Sequence, residues 1–261
     1  MKRSALPAAL AMLVGAIYFV APLAATFEFS LRLKRGEYSF EAYRLVFASG
    51  NFQGAFLYST VLALTTIVVS VLIVVPTAYW VQLRLPHLRG LVEFIALSPL
   101  VVPAIVLVFG YIKLYGSASL LPLTGSSFGS DVLLMLAYVA LSLPYMYRSV
   151  DTGLRAIDVQ TLTEAAESQG AGVLSILFRV ILPNIRAAIL SGAFLTFAIV
   201  VGEFTIASLL NRPAFGPYLQ LVGASRAYEP AALAVMAFAI TWACMGLIQL
   251  LGRGAAAAPQ R

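Results

Sequence analysis

Residues 164–183 read EAAESQGAGVLSILFRVILP, a charged, glycine-broken stretch in a chain that is otherwise strongly apolar. Its polar residues stand where a bilayer-crossing protein meets water, so its place in the chain decides how the rest is read. Upstream, Asp151, Arg155 and Asp158 extend the polar region, and downstream Arg186 closes it.

Around this stretch the composition is that of a membrane protein. Of 261 residues, 61% are hydrophobic and 11% charged, with a mean hydropathy of +0.93. A soluble domain carries about 25% charged residues. A membrane-crossing helix needs about 20 mostly apolar residues, and six ranges meet that length: 6–27, 57–82, 91–115, 131–150, 185–207 and 230–252. Alternating strands of barrel type are absent. The expected fold is therefore all-α and integral to the membrane, one domain over residues 1–261 with six transmembrane helices. The first range follows Met1-Lys2-Arg3, as a signal peptide would. Its apolar run is longer than such a leader needs and no A-x-A site closes it, so a retained first helix is expected.

Orientation follows from where Lys and Arg fall between spans. With the N-terminus inside, ten of the 17 basic residues lie on the inner side. The outer ones are Arg32, Lys34, Arg35, Arg44, Lys113, Arg212 and Arg226. Both termini are thus expected inside, together with the 151–183 loop. The net charge of +6 is spread over short loops, which fits membrane orientation and gives no nucleic-acid face. The single cysteine, Cys244, excludes a disulfide framework, and the single histidine, His87, excludes a His-built metal or protease site. Prolines 22, 76, 99, 103 and 144 fall inside apolar ranges; each removes a backbone donor and is expected to kink its helix.

Within the loop, Thr161 or Thr163 is suited to cap a helix running through Leu162, Ala165 and Ala166, with Glu164 and Glu167 near its positive end. Gly170 and Gly172 end it, a second amphipathic stretch runs from Val173 to Val180, and Pro183 suits the first turn of the next span. A helix–turn–helix under the membrane can dock in a partner's groove, or it can lie on lipid as an interfacial helix. Acidic residues around the turn disfavour anionic headgroups and favour docking.

The spacing Glu164-Ala165-Ala166, then Gly170, then Val180-Ile181-Leu182-Pro183, with Leu154 and Asp158 leading in, resembles the EAA signature of binding-protein-dependent ABC importer permeases. Val180 stands where that family usually has Ile. The resemblance covers the chain from the second span to the C-terminus. It implies the type I importer permease fold in a bacterial inner membrane, with 151–183 as a cytoplasmic coupling-helix loop. Asp158, Glu164, Ala165, Ala166, Gly170, Leu182 and Pro183 would then form the docking surface for a cytoplasmic ATPase dimer. It further implies a second permease subunit, a heterodimeric partner by preference, and an extracytoplasmic solute-binding protein. The chain has no G-x-x-x-x-G-K-[ST] loop, so ATP would be bound by the partner and this chain would need no cofactor or catalytic residue of its own.

The stretch 202–210, GEFTIASLL, with Pro213, Gly216 and Pro217 after it, resembles the spermidine/putrescine subgroup. Iron(III), thiamine and aminoethylphosphonate permeases share that pattern. Glu203, with Tyr111 and Tyr145, is a candidate for the solute pathway, since a carboxylate near aromatic rings suits a cationic solute; a solvated or Arg-paired carboxylate at the interface is the plainer reading of Glu203. Asp131 and Glu93 read as interface residues at span ends. An ion-coupled secondary transporter would bury paired carboxylates or show broken helices near the midplane, and an intramembrane enzyme would need a nucleophile cluster. Neither pattern is visible in the sequence.

Overall fold

The computed structural model describes residues 5–34 and 36–253. Lys2, Arg3, Arg35 and Arg261 of the charge count lie outside them, and so do the Cys244 and Arg253 side chains. The described residues form thirteen α-helices with short 3-10 and π-helical turns and no strand. They fall into two compact units, one built from residues up to Gln53 with Tyr218–Ile240, the other from Gly54–Pro217 with Thr241 onward.

In the first unit, α1 (Ala5–Ser30) is apolar on every side, the pattern of a helix that lives in lipid or protein rather than at a water interface. Near its end, the Ser30 hydroxyl lies 2.7 Å from that of Tyr43 on α2 (Glu41–Ala48).

The second unit carries the functional loop. It holds most of α3 (Gly50–Leu83), then α4 (Arg89–Leu97), α5 (Ala104–Tyr115) and α6 (Ser127–Arg155). The loop helices follow: α7 (Val159–Ser168), α8 (Val173–Ile176) and α9 (Leu182–Asn184). After them come α10 (Arg186–Gly202), α11 (Thr205–Leu209), α12 (Phe215–Ser225) and α13 (Glu229–Arg253), the last two shared with the first unit. Antiparallel α6 and α10 approach closely at Gly153, where a Cβ would sit 2.5 Å from the Ala188 Cβ. Small residues at such crossings are how apolar helices pack without a solvent-driven force between them.

Among the described residues, three helices are long and apolar enough to cross a membrane: Ala9–Ser30, Gly50–Leu83 and Ser127–Arg155. They cover the expected first range from residue 9 onward and contain the second and fourth. The third range differs from expectation. Pro86–Leu100 and Ala104–Tyr115 form a pair bent by 96°. Pro22, Pro76 and Pro144 lie inside continuous helices, so a single proline does not break a span here. The break needs the pair Pro99 and Pro103, four residues apart: Pro103 has no N–H for the Pro99 carbonyl, and Val102 before it is disfavoured in the α region. The fifth range is also altered, because α10 ends at Gly202 and Glu203 adopts an extended backbone before α11. Val173–Asn184 and Arg186–Gly202 form a second bent pair, at 79°, and the described apolar part of the sixth range is Glu229–Ala243.

Candidate functional site

The 151–183 loop is built on a core shared by the C-terminal halves of α3 and α6 and the start of α10. Val75, Tyr79, Met146, Val150, Leu154 and Ile185 are buried there, and the loop adds Val159, Ile176, Leu177 and Ile181 to the same cluster. The loop is therefore seated by its own apolar residues rather than tethered only at its ends.

Its first helix starts earlier than the sequence suggests. The cap is Asp158, whose carboxylate accepts from the Thr161 N–H at 3.1 Å and the Thr161 hydroxyl at 2.7 Å. These bonds, the hydroxyl's first, hold the Asp158 carboxyl below the ordinary carboxylate range. With α7 beginning at Val159, Glu164 and Glu167 lie in its middle and last turns, not at its positive end. Thr161 is the capped residue and not the cap. Thr163 is buried instead: its hydroxyl donates to the Val159 carbonyl at 2.7 Å and lies 3.1 Å from the Tyr79 hydroxyl of α3.

The end of α7 explains the Ala-x-x-x-Gly spacing. Gly170 has φ +78°, its N–H donates to the Glu167 carbonyl at 2.9 Å, and the Ala171 N–H reaches back to the Ala166 carbonyl at 3.0 Å. That is the double closure of a Schellman turn, in which the left-handed residue is almost always glycine. Ala166 and Ala171, the residues joined by the longer closure, both pack on the core cluster. Beyond Gly172, α8 passes into a π-helical turn at Leu177–Ile181. Pro183 sits in the three-residue α9, and Ile185 leaves the helical region before α10 starts at Arg186. The proline therefore precedes the spanning helix and is not in its first turn.

Asp158, Glu164, Ala165, Gly170 and Pro183 are exposed, whereas Ala166 and Leu182 are half-buried against the chain's own core. The sequence reading passed over two exposed residues of the loop: Leu174 on α8 is 71% exposed, and Phe178, on the π-helical turn that follows, is 52% exposed. Helical spacing relative to buried Ile176 and Ile181 was the available signal. The loop is held laterally as well. Asp151 on α6 takes Arg89 of α4 on both oxygens, at 3.0 and 3.1 Å, and Arg155 at 2.7 Å. The Gln82 amide donates to the Leu154 carbonyl at 3.3 Å.

Glu203, expected along a solute pathway, is held by its own neighbours. Glu203 accepts from the Ile206 N–H at 2.8 Å, the Ala207 N–H at 3.2 Å and the Tyr138 hydroxyl at 3.1 Å. Its carboxylate thus caps the start of α11. The tyrosine it meets is Tyr138; Tyr145 lies seven residues further along α6, about 10 Å away at helical rise. Tyr111, on α5, stacks edge-on with Tyr115. Asp131 is likewise more than an end residue: it accepts from the Tyr58 hydroxyl and, at 2.6 Å, from Arg212 Nε. Among the described residues no group of acidic, His and Cys side chains is arranged to hold a metal.

Residues 56–253 match the family model described as "Binding-protein-dependent transport system inner membrane component". A probable molybdenum ABC transporter permease protein of Haloferax volcanii is 36% identical over 151 residues, 56% of this chain and 54% of that protein. A spermidine/putrescine transport system permease protein of Haemophilus influenzae is 31% identical over 124 residues, 46% of this chain and 48% of that one. These matches span about half the length of each relative. In fold, the chain is similar to one in a bacterial alginate ABC transporter bound to its alginate-loaded periplasmic protein, with TM-score 0.74, 12% identity and coverage of 98% and 97%. An amino acid ABC transporter chain gives TM-score 0.56 at 18% identity, covering 81% of this chain and 97% of that one.

Proposed function

Because the chain belongs to the family of binding-protein-dependent transport system inner membrane components, we propose that it is the membrane-spanning permease subunit of an ATP-driven solute importer. The observation that carries this reading is the capped, Schellman-closed loop around Gly170. It is seated on the core through Thr163, Ile176 and Ile181, and it offers Glu164, Leu174 and Phe178 to the outside. A rigid ledge of that kind transmits a push, which a flexible loop cannot. Its occupant is a cytoplasmic ATPase subunit, which supplies the nucleotide chemistry that this chain's sequence lacks.

In this mechanism the loaded binding protein docks outside, closure of the ATPase pair draws the two permeases' loops together, and the pathway opens outward. Hydrolysis resets it. Both termini and the loop lie in the cytoplasm, and the second permease is a related chain. Affinity capture of the tagged chain co-expressed with importer-type ABC ATPases from the same genome tests the docking role. Capture of the ATPase, and its loss in Leu174→Asp, is expected. Equal capture by the parent chain, Leu174→Asp and Glu164→Lys would overturn it.

For cargo, the subgroup pattern at 202–210 supports a polyamine, and a spermidine/putrescine permease is among the relatives. Two molybdenum permeases among them favour an oxyanion as the second reading. The three donors satisfying Glu203 weaken its case as the cation's partner. Calorimetry of the associated binding protein with spermidine, putrescine and molybdate separates the two; binding of molybdate alone would overturn the polyamine reading and leave the permease role intact. An ion-coupled secondary transporter would use the broken third range, but among the described residues no carboxylate pair lies near that break.

A further inference from the structure

Three helices of the second unit enclose a groove of about 220 Å3. Ile73 and Thr77 of α3, Val92 and Ile95 of α4, and Leu143 and Tyr147 of α6 line its walls. The surface they present is almost wholly apolar, and the Thr77 hydroxyl already donates to the Ile73 carbonyl at 2.6 Å. A cavity of that chemistry gives water no partners, stays dry and takes an apolar guest. Left empty, it would forfeit the dispersion contacts of every side chain on its wall.

Towards the 151–183 loop, each wall runs into charge. On α6 the row Leu143, Tyr147 continues to Asp151, and on α4 the row Ile95, Val92 continues back to Arg89, at spacings that keep residues on one helix face. On α3, Thr77 is followed at the same spacing by the exposed Trp80 and then by Arg84. Asp151 is shared by Arg89, at 3.0 Å, and Arg155, at 2.7 Å, so two guanidiniums meet one carboxylate and one positive charge is left over. Both arginine side chains are more than a third exposed, which leaves donors free at the groove's end. Glu93, the one carboxylate on α4, lies outside the groove's wall. An apolar slot ending in surplus guanidinium charge has the shape of an amphiphile with an anionic head. Guanidinium pairs with phosphate through parallel hydrogen bonds, and basic pockets between membrane helices hold acidic lipid headgroups.

We propose that this groove binds one acidic phospholipid of the leaflet on the 151–183 side, with an acyl chain between α3, α4 and α6 and the phosphate on Arg89 and Arg155. Bound there, the lipid splints α4 to α6 beside the point where α6 runs into the loop. The binding does not depend on the permease reading above, which concerns only what the splint would do to coupling.

Native mass spectrometry of the full chain, purified in detergent with its co-purifying subunits, tests this by titration with dioleoylphosphatidylglycerol or dioleoylphosphatidylcholine. The expected result is one phosphatidylglycerol retained per chain, bound at least tenfold more tightly than phosphatidylcholine. Arg155→Gln leaves Arg89 on both oxygens of Asp151 and is expected to weaken phosphatidylglycerol about fivefold, with phosphatidylcholine unchanged. Ile95→Trp, at an exposed position on the groove's wall, fills the slot with the charges intact and is expected to weaken phosphatidylglycerol at least tenfold. sn-Glycerol 3-phosphate, the head without its chains, is expected not to displace the lipid. Equal binding of the two lipids would reduce the groove to ordinary lipid-facing surface, and parent affinity in either variant would move the lipid elsewhere. Displacement by glycerol phosphate would leave a phosphate site without a chain slot, and no retained lipid would leave the groove covered by another subunit. Each of these overturns the proposal.

Discussion

The Tyr79 hydroxyl lies 3.1 Å from Thr163 Oγ1, joining the C-terminal half of α3 to the helix that carries the Glu-Ala-Ala triplet. Both side chains are buried, and the pair crosses 84 residues of sequence. It ties the 151–183 loop to a long apolar helix other than the two that flank it. Tyr79→Phe keeps the ring and removes the bond, so a loss of about 1 kcal/mol is expected, the net value of such a bond. Thermal unfolding of the purified subunit reads that loss, and the ratio of transport to ATP hydrolysis is expected to fall with it. An unchanged ratio would show that the α3 tie does not carry coupling.

Gly170 occupies left-handed backbone with open space around its Cα. A side chain there meets no clash with neighbours, so the penalty is conformational, about 1–2 kcal/mol and more for a β-branched residue. Gly170→Val is expected to insert and pack normally yet hydrolyse ATP without moving solute. Gly170→Asn, which tolerates this backbone, is expected to recover most of the coupling. Full transport by the valine variant counts against a rigid ledge.

Asp158 sets a pH dependence. Its folded-state carboxyl lies below the ordinary value because the Thr161 hydroxyl and N–H favour the charged form. The capping stabilisation is therefore fully present above the unfolded carboxyl's ordinary value and is lost as pH falls through the lower folded one. Hydrogen exchange at the Thr161 amide, measured from neutral to acid, is expected to lose protection across that window, after correction for intrinsic exchange. Asp158→Asn still caps, and its protection is expected to be pH-independent there. A protection curve identical for both chains would remove the role of the charge.

Arg212 is mostly buried where it meets Asp131, its side chain 15% exposed. Arg212→Ala strands a partly solvated carboxylate beside the Tyr58 hydroxyl, with an expected cost of about 2 kcal/mol, below the 3–5 of a fully buried pair. The double variant Asp131→Asn, Arg212→Ala is expected to be more stable than Arg212→Ala alone. Additive losses in a double-mutant cycle would show that the two side chains do not interact.

Helix placement was legible because a bilayer imposes one dominant rule, a long apolar run, and residues such as those of α3 and α6 satisfy it without reference to any neighbour. Gly170 was legible for a similar reason: a helix must end, and glycine is the residue that ends it left-handed. Leu174 and Phe178 were missed because their exposure depends on Ile176 and Ile181 being claimed by α3 and α6. Glu203 reads in the sequence as a carboxylate near the membrane edge, and only folding reveals Tyr138 and the α11 amides around it.

The sequence by itself determined the all-helical membrane class, the polar loop at 151–183, and the turn at Gly170, since all three follow from local chemistry. Only the tertiary structure decided that Tyr79 pins the loop through Thr163, that Tyr138 meets Glu203, and that Arg212 pairs with Asp131. Those outcomes turn on which side chains find partners. Partners distant in sequence exist only once the chain has folded.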